Sequence, residues 1–100
     1  GVGGEAALAV GQALADLGHR YQVLVVTHLA QVAAFAGTQV AVSKVERAGR
    51  AVAVAEIVEG EDRVVELSRM LSGQPDSRTA RLHAAELLET AALGIGRAGS

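Results

Sequence analysis

The segment Gln22-Val-Leu-Val-Val-Thr-His28 decides the fold class of this chain. Its residues 22–26 form a short, continuous run rich in β-branched side chains, typical of a strand buried on both faces in a parallel sheet. The preceding residues 5–17 place apolar side chains on one helical face, at Ala7, Val10, Leu14 and Leu17, and Gly18 follows where a helix is expected to end. A helix followed by a buried strand is half of a βαβ unit. We therefore expect an α/β fold whose other half precedes Gly1.

The residues after His28 predict a short helix, an antiparallel hairpin and two further helices. The short helix covers 29–35, and alternating apolar residues over 40–58 predict the hairpin, with a turn at 47–50. The third helix covers 61–72, with one apolar face and acidic residues at its start. Ser77 is expected to cap a last helix that ends near Leu93.

Length and composition predict one unit and exclude several functional classes. The chain has 100 residues, 9 basic against 11 acidic and no cysteine. A net charge of −2 does not suit a dedicated nucleic-acid binder. The lack of cysteine excludes disulfides and thiolate metal sites and favours a reducing cytoplasm, and no apolar run is long enough to span a membrane. We expect residues 1–93 to form one subdomain and 94–100 a flexible tail.

Most sequence motifs in the chain carry no chemistry. Residues 94–99 match G-x-G-x-x-G, but they follow a helix instead of joining a strand to one, so we do not expect a dinucleotide site. A G-x-x-x-x-G-K-[ST] phosphate loop is absent. The three histidines, at 19, 28 and 83, are too dispersed for a metal site. His83 and Glu86 are best explained as an exposed helical pair.

His28 is the candidate that remains, because it directly follows the predicted buried strand. In open α/β sheets, ligands bind at the carboxyl ends of the strands, where an imidazole would face a crevice. The alternative is a strand-end histidine that caps the next helix or simply reaches water. Spacing alone does not choose between these two interpretations.

Four segments in register carry a resemblance to a known family: residues 1–18, 22–37, 39–57 and 63–73. The most specific are L-x-Q-V-A after His28, V-S-K in the hairpin and E-L-x-R-M-L-S-G in the third helix. Together they resemble the C-terminal end of the RecN family, bacterial DNA double-strand-break repair ATPases related to SMC proteins and to the ABC ATPase class. The resemblance implies the C-terminal portion of an ABC/SMC-type P-loop ATPase head.

The resemblance also implies roles for individual residues. His28 matches the switch histidine that contacts the γ-phosphate of ATP, and Gln31, in the following turn, supports it. Gly1, Gly3 and Gly4 match the end of the D-loop, which meets the partner subunit of the dimer. One departure is Ala30, where the family usually has a proline that would fix the first helical turn.

The implied full-length protein hydrolyses ATP with Mg²⁺, and most of the site lies outside these 100 residues. We therefore expect the chain alone to be inactive. The implied partners are the N-terminal half of the same protein, a second ATPase head in a homodimer, DNA contacted by the full-length protein, and RecA. No membrane association is expected, and the implied location is the cytoplasm, at the nucleoid.

Two other functional classes stay open at this point. One is the ATPase half of an ABC transporter, which Leu29 and the helix within 64–73 argue against. The other is a non-enzymatic interaction domain in which the Thr27-His28 pair is accidental. An acidic Walker B run immediately before Gly1 would favour the ATPase, and its absence the interaction domain.

Overall fold

Helices and one β-hairpin build the protein in the computed structural model. It describes residues 3–73 and 77–98, the last four by backbone alone. In chain order the elements are α1 (Gly4–Gly18), α2 (Ala30–Ala33), β1 (Gln39–Arg47), β2 (Arg50–Val58), α3 (Gly60–Ser72) and α4 (Arg78–Ala98). This mixture of helices and strands confirms the α/β class at a coarse level, and each predicted helix is present.

The core lies where α2, α3 and α4 meet. Leu67 of α3 is fully buried, and Phe35 packs with it just after α2. Helix α4 contributes one small-residue face, made of Ala80, Ala84, Leu87 and Ala91. These four follow the i, i+4, i+7, i+11 spacing of a single helical face. Val64 and Leu71 pack against the core cluster that contains Leu67, which confirms the predicted apolar face of α3.

Helix α1 buries only part of the apolar face that its sequence predicts. Its buried residues are Ala7 and Gly11. Of the predicted face, Ala7 is buried and Leu14 half-buried, whereas Val10 and Leu17 are 48% and 47% exposed. The helix is buried at these small residues because α1 approaches Phe35 closely, and Gly11 leaves room for the ring.

The predicted antiparallel hairpin is confirmed, with its turn at 47–50, and its register places Gln39 opposite Val58 and Arg47 opposite Arg50. Its turn places Ala48 and Gly49 at φ 51° and 77°, the left-handed pair that a two-residue type I′ hairpin loop requires. Val40 and Val42 lie on one face and are exposed. The other face is partly covered, most of all at Gln39.

The end of α3 and the start of α4 lie where the sequence predicts them, whereas α4 ends later than predicted. Helix α3 ends at Gly73, whose φ of 76° is the left-handed C-cap. Ser77 Oγ accepts a hydrogen bond from the Ala80 N–H at 3.2 Å, which is the predicted cap. Helix α4 continues beyond Leu93 to Ala98, because nothing in Gly94–Ala98 forces the backbone out of helical geometry. The predicted turn at 74–76 and Gly99 lie outside the described residues.

The prediction of a buried strand at residues 22–26 is wrong for this structure. The segment has no strand pairing, and Leu24 and Val26 are 92% and 98% exposed. The only sheet in the described residues is the two-stranded hairpin, whose strands pair with each other. A parallel strand is stable only between neighbouring strands with helices on both faces. The apolar segment has no such neighbours here.

The chain exposes more surface than a compact protein of its size. Its accessible area is 7135 Å², whereas the usual scaling gives about 5,300 Å² for a folded monomer of this mass. The exposed large apolar side chains include those of residues 24–26 and, on the open face of the hairpin, Val40, Val42 and Ile57. None of the helices in the described ranges combines the length and hydropathy that a membrane crossing requires.

Candidate functional site

His28 lies at a bend between the irregular segment 22–27 and helix α2, and it is exposed. Both of its neighbours are held: Thr27 Oγ1 accepts a hydrogen bond from the Leu29 N–H at 3.0 Å. The Leu29 carbonyl accepts from the N–H groups of Val32 and Ala33 at 3.1 and 3.0 Å. Helix α2 therefore holds the backbone that follows His28, and the Thr27–Leu29 hydrogen bond spans the residue itself, while its side chain is exposed.

The sequence left open whether His28 faces a ligand, caps the next helix or simply reaches water, and the structure excludes the cap. Leu29 is the N-cap of α2, and no side chain makes a capping hydrogen bond there. The imidazole of His28 therefore does not cap the following helix. It is available to a ligand or to water, but it does not extend from the end of a paired strand as predicted.

Gln31 lies three residues beyond His28, in the first turn of α2, and is half-buried. Its carbonyl oxygen faces Gly11 of α1, so this turn is packed between two helices. Ala30 begins the helix and is buried, at 2% exposure. The missing proline therefore does not prevent the helix from starting, since burial of Ala30 holds the turn in place.

The glycines predicted at the D-loop are separate from this turn. Gly3 is the N-cap of α1 in extended geometry, and Gly4 is the first helical residue. A Cβ built on either would meet no atom within 4 Å, so both face open space. About 10 Å of helix separates Gly4 from Gly11, where α1 meets α2. Gly1 lies outside the described residues.

Arg63, in the first turn of α3, holds the end of α2 that lies away from His28. Its Nη2 donates to the carbonyl oxygens of Ala33, Ala34 and Ala36 at 3.2, 3.2 and 2.8 Å. Its Nε donates to Oε1 of Gln39 at 3.0 Å. All four acceptors are uncharged oxygens. Partial burial lowers the pKa of the Arg63 guanidinium, because desolvation disfavours the charged form.

Sequence reasoning missed Arg63 and Gln39. Arg63 follows Glu61 and Asp62, and this run is typical of a solvated helix start. A signal was nevertheless present: α2 ends in Ala-Ala-Phe-Ala-Gly, which offers no side chain to satisfy its last carbonyl groups. A cation from elsewhere is favourable at such a helix end.

The described residues of this site could contribute one hydrogen-bond donor to phosphate chemistry, but no metal site. An exposed imidazole can donate a hydrogen bond to a phosphate oxygen. Within residues 3–73 and 77–98, no group of three His, Asp or Glu side chains is placed to hold a metal ion. A shallow depression of about 580 Å³ at the end of α1, lined by Asp16, His19 and Arg20 among others, includes none of the predicted site residues.

Comparison with known proteins identifies the relatives of this chain. It is 57% identical over 91 residues to DNA repair protein RecN of Streptomyces coelicolor. It is 53% identical over 91 residues to the protein of that name in Mycobacterium tuberculosis, and 48% over 88 residues to that of Deinococcus radiodurans. These alignments cover 88–91% of this chain but only 15–16% of each relative. No protein-family model matches the sequence.

These relatives share the name DNA repair protein RecN, and the chain matches one segment of such proteins. It belongs to the RecN family. Because the chain spans about 15% of the curated relatives it matches, activities of the whole protein do not follow from this assignment alone.

Proposed function

We propose that this chain is the C-terminal part of an ATP-hydrolysing RecN-type protein that acts in DNA double-strand-break repair and recombination. In this proposal it belongs to an ABC/SMC-type ATPase head, and His28 is its switch histidine. His28 would donate a hydrogen bond to the γ-phosphate of ATP, supported by Gln31. Gly1, Gly3 and Gly4 would form the end of a D-loop at the interface between two heads.

The observation that carries the proposal is the exposed imidazole of His28 on a turn held by helix α2 and by the Thr27–Leu29 hydrogen bond. Phosphoryl transfer depends on positioning and on stabilisation of the charge on the γ-phosphate. A donor that needs no reorganisation contributes most to such a step. An exposed histidine on a mobile loop would not offer this advantage.

The missing parts of the site must come from elsewhere in the full-length protein. ATP and Mg²⁺ would be bound mainly by residues outside this chain, because it holds no phosphate loop and its described part no acidic metal site. Because segment 22–26 is apolar and exposed, it supports pairing with strands from another part of the protein. We assign these strands to the N-terminal half of the same protein. Pairing there would restore the parallel strand that the sequence predicts and place His28 at its carboxyl end.

The remaining partners in the proposal are a second head, DNA and RecA. The net charge of −2 favours DNA contacts outside this chain, since phosphate contacts need basic residues. A cytoplasmic, nucleoid-associated location accords with repair of chromosomal DNA. The transporter alternative is not favoured, because the relatives are named as repair proteins.

The test is His28→Ala in the full-length protein. ATP binding should persist, because the phosphate loop and Mg²⁺ lie elsewhere, while turnover should fall roughly 100- to 1000-fold, as expected when one positioned donor is removed. Steady-state ATP hydrolysis and equilibrium binding of a fluorescent ATP analogue measure the two effects. His28→Gln should retain part of the rate, because its amide still donates.

The matched control is His83→Ala, on an exposed face of α4. It should leave both turnover and ATP binding unchanged. If the two histidine variants show equal and small effects, His28 does not contact the reacting phosphate and the proposed role is wrong.

A further inference from the structure

Arg63 joins α3 to the end of α2 through several hydrogen bonds. Three of the carbonyl groups that it contacts lie at or just beyond the last turn of that helix. Carbonyl groups in this position have no partner within their own helix. The Ala33 carbonyl also accepts from the Ala36 N–H at 3.0 Å, so the carbonyl groups of Ala34 and Ala36 depend most on the guanidinium.

The contact is reinforced from the hairpin. Gln39, the first residue of β1, is 7% exposed and accepts from Arg63 Nε. Its own Nε2 lies 3.8 Å from the sulfur of Met70 on α3. Arg63 therefore joins three elements, α2, α3 and β1, at one point.

Helix α2, whose end Arg63 holds, is short, so its two ends move together. Helix α2 has four residues, and its N-cap, Leu29, directly follows His28. A displacement of the carbonyl end would be transmitted within one turn to the bend that carries the imidazole. The apolar contacts of Ala30 and Phe35 limit movement towards the core, whereas the hydrogen bonds of Arg63 limit rotation and sliding.

We propose that Arg63 is a positioning residue for His28: it fixes the rotation of α2 and thereby the direction in which the imidazole extends. This inference rests on the proposed function, since it gives Arg63 a role in turnover through the switch histidine. Arg63 itself contacts no substrate. Its role is distinct from general stabilisation, because it acts only while His28 is present.

The test is a double-mutant cycle in the full-length protein with Arg63→Met, which keeps an apolar stem but removes every donor. We expect kcat for ATP hydrolysis to fall about 10-fold while the affinity for an ATP analogue stays within about twofold, because misplacement of one reacting group affects the rate more than binding. Combined with His28→Ala, Arg63→Met should lower the rate less than twofold further, because the residue through which it acts is already absent.

Arg69→Met is the matched control, because Arg69 lies on the same helix, pairs with Glu66 and is exposed. It should leave kcat unchanged. Arg63→Lys serves if Arg63→Met does not fold: it keeps one charged donor group and should give an intermediate kcat, again without further loss in the His28→Ala background.

The outcomes separate the two proposals. If His28→Ala lowers turnover but the losses from Arg63 and His28 multiply, the positioning role is wrong and the proposed function stands. If neither Arg63 variant changes kcat, the positioning role is again wrong. If the wild-type protein does not hydrolyse ATP, or His28→Ala has no effect, the proposed function fails and this inference with it.

Discussion

Gly11 of α1 lies directly against the ring of Phe35. A Cβ added at Gly11 would stand 3.0 Å from Cε2 of Phe35 and 3.1 Å from the carbonyl oxygen of Gln31. Contacts this short are tighter than nearly all that real Cβ atoms make. The absence of a side chain at Gly11 therefore sets how closely α1 approaches the turn that carries His28 and Gln31.

Gly11→Ala should destabilise the chain. Alanine gains about 1 kcal/mol in helix propensity, but overpacking against Phe35 typically costs about 1–3 kcal/mol. We expect the free energy of unfolding to fall by about 1 kcal/mol, measured by urea denaturation with circular dichroism. The control is Gly18→Ala on the same helix, where an added Cβ meets nothing within 4 Å. If Gly11→Ala stabilises the chain as much as Gly18→Ala does, α1 is not in close contact with α2 and Phe35.

The hairpin turn should respond in opposite directions to two neighbouring substitutions. Ala48 has φ 51°, a conformation that asparagine tolerates better than alanine. Ala48→Asn is therefore expected to raise the free energy of unfolding by about 0.5 kcal/mol, on the scale of such backbone effects. Gly49→Ala, at φ 77°, should lower it by about 1 kcal/mol. Thermal unfolding measures both, and changes of the same sign would contradict the type I′ turn.

Leu24→Gln tests whether the apolar segment is covered in the full-length protein. In the 100-residue chain Leu24 is 92% exposed, so the substitution should change stability by less than about 0.5 kcal/mol. If strands of the N-terminal half cover it, the same substitution in the full-length protein should cost about 2–4 kcal/mol. Paired thermal scans of the two proteins make the comparison. Equal, small effects in both would mean that the segment stays exposed.

The 100-residue chain alone should neither bind ATP tightly nor hydrolyse it. It lacks a phosphate loop, and its described part holds no acidic group of three that could bind Mg²⁺. Titration of a fluorescent ATP analogue into the purified chain is the direct measurement, with the full-length protein as the positive control. Micromolar affinity of the chain would contradict the division of the site between this segment and the rest of the protein.

Local structure was predictable from sequence because its causes lie within a few residues. The left-handed C-cap at Gly73, the Ser77 cap and the turn at 48–49 each depend on the conformational preference of one or two residues. The hairpin register follows from alternation along two short strands. His28 could be singled out for the same reason, since its place after an apolar run is a property of neighbouring residues.

Packing followed from tertiary structure alone, because it depends on residues far apart in the chain. The apolar residues 22–26 predict a buried strand, but burial needs neighbouring strands, and the described chain supplies none. The buried face of α1 is its smallest one, since close approach to Phe35 outweighs the larger apolar area of Val10 and Leu17. Arg63 reads as a surface charge beside Asp62, yet it satisfies carbonyl groups some 30 residues away. The acceptors of a side-chain donor can lie far away in the sequence and come close only when the chain folds. The residues around Arg63 therefore could not predict which carbonyl groups it contacts.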